Sequence, residues 1–82
     1  MQGKRVYGKA PHLLQPGEYM VYEHDQNAIY GRTPNGLLCN LKSHTITEHP
    51  DGTITASPSI LVSGAPESSW HGYLERGIWR QC

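Results

Sequence analysis

Ser43-His44-Thr45-Ile46-Thr47-Glu48-His49, Pro50-Asp51-Gly52 and Thr53-Ile54-Thr55-Ala56-Ser57 follow one another without a break. The two flanks alternate β-branched with other residues at period two, the mark of half-buried strands. Pro-Asp-Gly between them is turn chemistry: a type I turn closed by a bulge in which Gly52 takes a positive φ. Such a turn sets the register, with His49 opposite Thr53, Glu48 opposite Ile54 and Ile46 opposite Ala56. One face then carries His44, Ile46, Glu48, Ile54 and Ala56 and is expected to look at a core. The other carries Thr45, Thr47, His49, Thr53, Thr55 and Ser57 and is expected at solvent.

The same grammar extends outward. Upstream, Glu18 to His24 and Ala28 to Arg32 read as strands joined by the turn residues Asp25-Gln26-Asn27. Thr33-Pro34-Asn35-Gly36 is a β-turn signal, and Leu37 to Leu41 follows as a short apolar strand. Pro11 to Gly17 reads as an irregular lead-in with Leu13-Leu14 tucked against the core. Downstream, Pro58 to Val62 continues apolar and residues 63–69 read as a loop. A final hairpin pairs Trp70–Glu75 with Ile78–Cys82 across a two-residue turn at Arg76-Gly77. Its register sets Leu74 against Trp79, Tyr73 against Arg80 with the guanidinium over the ring, and His71 against Cys82. Nine Gly and six Pro interrupt the chain, and the longest stretches free of both, residues 18–30 and 37–49, show no helical spacing. The expectation is an all-β, single-domain meander of about six short strands over residues 11–82, folded as a small barrel or sandwich, with residues 1–10 as a basic flexible arm.

At 82 residues, with seven Lys and Arg balancing seven Asp and Glu, the chain has room for one domain and none for a barrel enzyme or a complete dinucleotide fold. The charge balance argues against a nucleic-acid binder. Lys4, Arg5 and Lys9 do put +3 on the first nine residues, leaving −3 on the remainder. We expect them on a solvated terminus, with phosphate contact the weaker alternative. No apolar run approaches the roughly 20 residues of a membrane span, and the N-terminus has no apolar segment of the secretory kind. Two cysteines make no disulfide framework, so the expected setting is cytosolic with both thiols reduced. Fifteen Leu, Ile and Val residues suffice for one thin core, which leaves a homodimer open.

Chemistry-bearing patterns are sparse. Five histidines and two cysteines raise the question of zinc, which needs several converging ligands. Cys39 and His44 are five positions apart, as are His44 and His49, and an odd separation on a strand sends side chains to opposite faces. His71 and Cys82 are neighbours in the final hairpin, but two ligands are half a site. No nucleophile elbow or phosphate-binding glycine loop occurs, and Ser68-Ser69 near His71 read as loop serines. Glu48, at a hairpin end, is expected to reach solvent or pair with a base. We therefore expect no enzyme and no cofactor.

All seven aromatic residues are Tyr or Trp, with an apolar body and a polar tip. Trp79 and Leu74 are assigned to the core. Trp70 and Tyr73 are balanced between core and surface, and the reading we adopt presents Trp70, His71, Tyr73 and Arg80 to a protein partner.

The run Thr47-Glu48-His49-Pro50-Asp51-Gly52-Thr53-Ile54-Thr55-Ala56-Ser57-Pro58-Ser59-Ile60, followed by Trp70-His71-Gly72-Tyr73-Leu74-Glu75-Arg76-Gly77-Ile78-Trp79, resembles a family of small proteins of tailed phages, prophages and bacteria. The shared pattern is a DGT hairpin, then PS-I/V, a variable loop, a His before aromatic and aliphatic residues, and G-x-W. The resemblance covers residues 37–82. It implies a phage origin and the host cytoplasm, and carries no assigned activity. Bacterial members have a Cys-rich stretch before the hairpin, which suggests a metal site completed near the later His; here only Cys39 stands in that stretch. The leading expectation is a non-enzymatic accessory protein that binds a host or phage protein. The alternative is a zinc-binding domain using His71 with Cys39 or His44.

Overall fold

The computed structural model describes residues 1–63 and 69–82. Among them lie eight strands: β1 (Lys4–Arg5), β2 (Glu18–Tyr22), β3 (Ala28–Arg32), β4 (Leu38–Asn40), β5 (Thr45–Glu48), β6 (Ile54–Val62), β7 (Trp70–Glu75) and β8 (Ile78–Gln81). They form two four-stranded sheets in the orders β1-β2-β3-β4 and β5-β6-β7-β8. The sheets do not close on each other, so the all-β chain is a sandwich rather than a barrel. Apart from β1, which lies parallel to β2, every neighbouring pair is antiparallel and consecutive, as in a meander.

The central hairpin has the register its turn dictates, with Ile46 opposite Ala56 and Glu48 opposite Ile54. Gly52 has φ +87° and its N–H donates to the His49 carbonyl at 2.9 Å. Asp51 Oδ1 accepts from the Thr53 N–H at 3.0 Å and from its hydroxyl at 2.7 Å, closing the turn from within. Ile54 and Ala56 are buried, whereas Glu48 is exposed and pairs with Arg5 at 2.6 Å. The last hairpin also has its expected register, Leu74 with Trp79 and Tyr73 with Arg80. Arg76 and Gly77 both have positive φ, +47° and +76°, the signature of a type I′ turn.

Four expectations change. Residues 1–10 are not all an arm outside the domain. Lys4 and Arg5 pair with β2, the Met1 ammonium donates to the Trp79 carbonyl at 2.9 Å, and the Gly3 N–H donates to the Gly77 carbonyl at 2.7 Å. Backbone bonds hold this segment, and two of its charges are paired as well: Arg5 meets Glu48, and Lys9 meets Glu18 at 2.9 Å. Secondly, the strands among the described residues number eight rather than about six: the runs read above supply seven, with Thr53–Ser57 and Pro58–Val62 merged in β6, and β1 adds an edge that short, charged residues did not announce. Thirdly, Glu23 and His24 leave β2 as a 3-10 turn, Glu23–Asp25. Fourthly, only Leu14 of the Leu13-Leu14 pair is buried; Leu13 points to solvent. The loop expected over residues 63–69, with Ser68, lies mostly outside the described residues.

The core forms where the inner faces meet: Tyr19, Ile29, Cys39 and Leu41 from the first half of the chain, and Ile54, Ala56, Ile60, Trp70, Leu74 and Trp79 from the second. Trp79 is its centre. The indole edge lies over Gly31 of β3, where a Cβ would stand 3.0 Å from the ring, so the absence of a side chain on Gly31 makes room for it.

Candidate functional site

β7 alternates strictly. Trp70, Gly72 and Leu74 are buried, and His71, Tyr73 and Glu75 are exposed. This corrects the placement of Trp70, which is 3% exposed and packs edge to face on Trp79 with ring centroids 5.6 Å apart. Trp70 shares the face of Leu74 because four positions on a strand return to the same side. It serves the core and is not offered to a partner.

His71, Tyr73 and Arg80 do come together, on the outer face of the second sheet. Tyr73 is opposite Arg80 across β7–β8, and His71 is opposite Leu61 across β6–β7. Leu61 is 65% exposed and Tyr73 43%, so this face carries two large apolar bodies in water. The guanidinium that covers a tyrosine ring among the described residues is that of Arg5 over Tyr7, 5.6 Å from the centroid, in place of the Arg80–Tyr73 contact the register suggested. A shallow groove of about 390 Å³ runs beside Arg80, lined also by Thr47, His49, Thr55, Glu75 and Arg76. His49 Nε2 meets the Thr55 hydroxyl at 2.7 Å, and the same oxygen accepts from the Arg76 N–H at 3.0 Å, which holds the groove floor.

The metal candidates separate. Cys39 is in the core, where its thiol donates to the Gly31 carbonyl at 3.3 Å. Burial pushes that thiol up to about 11, the hydrogen bond to Gly31 opposing only in part. It stays protonated, which is the wrong state for a ligand. His44 and His71 both reach Ser59, His44 Nε2 to its carbonyl at 3.1 Å and His71 Nε2 to its hydroxyl at 3.2 Å. Cys82 Sγ lies 4.0 Å from His71 Nε2, as the hairpin register implies. Among the described residues no three His, Cys, Asp or Glu side chains converge on one point.

A larger cavity escaped the sequence reading. It is an open cleft of about 960 Å³ between the two sheets, with Val21, Ile29 and Ile46 among its lining and Tyr7 and Tyr22 beside them. The Arg5–Glu48 pair spans one end, with Arg5 also donating to the Gly52 carbonyl at 3.1 Å. Nearby, a hydrogen bond from the Gln15 N–H, and after it the Lys9 ammonium, hold the Glu18 carboxyl below its ordinary range. The cleft belongs to residues far apart in the chain, which no local motif announces.

Among the described residues no helix is long and apolar enough to cross a membrane. Comparison with protein-family models, curated proteins and solved structures finds no match.

Proposed function

We propose that this chain is a small, non-enzymatic binding protein of phage origin that engages a host or phage protein in the host cytoplasm. Its contact surface is the outer face of β6–β8, where His71 stands opposite Leu61 and Tyr73 opposite Arg80. The observation that carries this reading is the pair of exposed apolar bodies, Leu61 and Tyr73, on one sheet face beside Arg80. Tyr and Arg are enriched among the residues that dominate binding energy, and exposed apolar surface rimmed by polar groups marks interaction sites. The phage origin rests on the DGT hairpin and G-x-W resemblance.

Capture from lysates of phage-infected and uninfected host cells, with the wild type beside Tyr73→Ala and Arg80→Ala, tests it. A partner retained by the wild type and lost by both folded variants supports the reading; equal capture by all three removes this face as the site. A second reading, a metal-binding domain built on His71, draws on the Cys82 thiol 4.0 Å away. Stoichiometric zinc in the purified protein and a melting temperature lowered by a chelator would establish it, and overlaying melts would dismiss it.

A further inference from the structure

We infer that the cleft between the sheets is a second binding site, which takes an extended polypeptide segment as an added strand along β2. The inference is independent of the outer-face reading and rests on backbone polarity. β1 ends at Arg5, and the Val6 N–H donates to the Tyr19 carbonyl at 2.9 Å. The chain then turns away through Gly8, at φ +70°. Alternate residues of a strand face the same neighbour, so Val21 directs its N–H and C=O to the edge that β1 has just left. Among the described residues no strand pairs with β2 there.

The opposite side of the cleft repeats the situation. β5 is an edge strand, and the His49 N–H bond to the Thr53 carbonyl sets which of its residues bond to β6. By alternation Thr45 and Thr47 do so as well, and Ile46 and Glu48 direct their backbone groups outward. Ile46, Glu48 and Val21 all line the cleft. Among the described residues two unpaired strand edges therefore border one cleft whose middle carries Val21, Ile29 and Ile46, in line with the slot that β1 already fills. That is the chemistry of strand addition: main-chain hydrogen bonds give affinity, and pockets for alternate side chains give selectivity.

The occupant follows from the same residues. Arg5 and Lys9 are already paired with Glu48 and Glu18, and Glu23 and His24, which also line the cleft, belong to the 3-10 turn past the end of β2, so the stretch beside Val21, Ile29 and Ile46 selects for backbone and apolar groups. We assign it to an extended segment of a partner protein with apolar side chains at every second position, which would rest on Val21, Ile29 and Ile46.

The probe is a capped octapeptide, Lys-Thr-Val-Thr-Val-Thr-Val-Lys, added to the isotope-labelled full chain. The amide resonances of Val21, Ile46 and Glu48 should shift saturably, and exchange of the Val21 amide should slow by about tenfold or more. Methylating alternate peptide nitrogens should abolish both effects without touching the protein, so the outcome does not depend on a variant folding. Ile46→Thr should weaken binding, while added salt should leave it nearly unchanged. Absence of saturable shifts, shifts confined to the β4 or β8 edge, or equal binding of the methylated peptide would overturn the assignment. Protection of these amides that rises with protein concentration alone would overturn it too, by giving the cleft to a second copy of the chain.

Discussion

The indole N–H of Trp79 donates to the backbone carbonyl of Gly17 at 2.9 Å, a buried bond that ties β8 of one sheet to the turn entering β2 of the other. Trp79 thus joins the sheets twice, through its ring over Gly31 and through its nitrogen. Trp79→Ala should cost about 3–5 kcal/mol and unfold much of so small a domain. Trp79→Phe keeps an aromatic ring in the core but removes the indole donor, leaving the Gly17 carbonyl with the Lys4 N–H alone at 3.1 Å, for about 0.5–1.5 kcal/mol beyond the lost packing. Urea denaturation followed by circular dichroism separates the two. Tyr73→Ala, by contrast, should leave the melting temperature almost unchanged, because that ring faces water.

Gly52 is the point at which the central hairpin depends on backbone freedom. Its φ of +87° is strained for any side chain, although open space surrounds the position. Gly52→Val should therefore destabilise by about 1–3 kcal/mol through the backbone alone. A variant as stable as the parent in thermal melts would contradict the turn geometry.

Arg76 pays the opposite way. It holds φ +47° without being glycine, in a type I′ turn that favours Asn or Gly. Arg76→Asn should stabilise the protein by about 0.5–1 kcal/mol, measured as a higher denaturation midpoint with an unchanged slope.

The two thiols should behave differently. Cys39 is buried and Cys82 exposed. At pH 8 a thiol reagent should modify Cys82 at once and Cys39 only after denaturant is added. The same burial couples folding to alkali. Cys39 is raised from 9.0 to about 11, so the folded state holds its proton more tightly than the unfolded chain. That contribution is fully present below pH 9 and is lost as pH rises through 11. Cys39→Ala should flatten the fall in stability over this window, at a cost in packing at neutral pH.

Local chemistry was enough for both hairpins. Pro50-Asp51-Gly52 imposes a turn type and Arg76-Gly77 leaves a two-residue turn between its flanking runs, and each fixes a register on the residues beside it, so Ile46–Ala56 and Leu74–Trp79 were legible from the sequence. The burial of Trp70 was legible as well, since residues 70, 72 and 74 share a face, but the pull of an aromatic cluster toward a partner surface masked it.

What lay beyond the sequence was the meeting of segments far apart. The Met1 ammonium finds the Trp79 carbonyl across 78 positions, and Arg5 finds Glu48 across 43. Nothing in Lys4-Arg5 names its neighbour: a two-residue strand has no period to read, and its pairing is chosen by the edge that the other strands leave free. The cleft has the same origin. Its walls come from strands that local turns do not connect, so periodicity and turn chemistry determined the sheets, and only the packing of one sheet on the other decided where they stand apart.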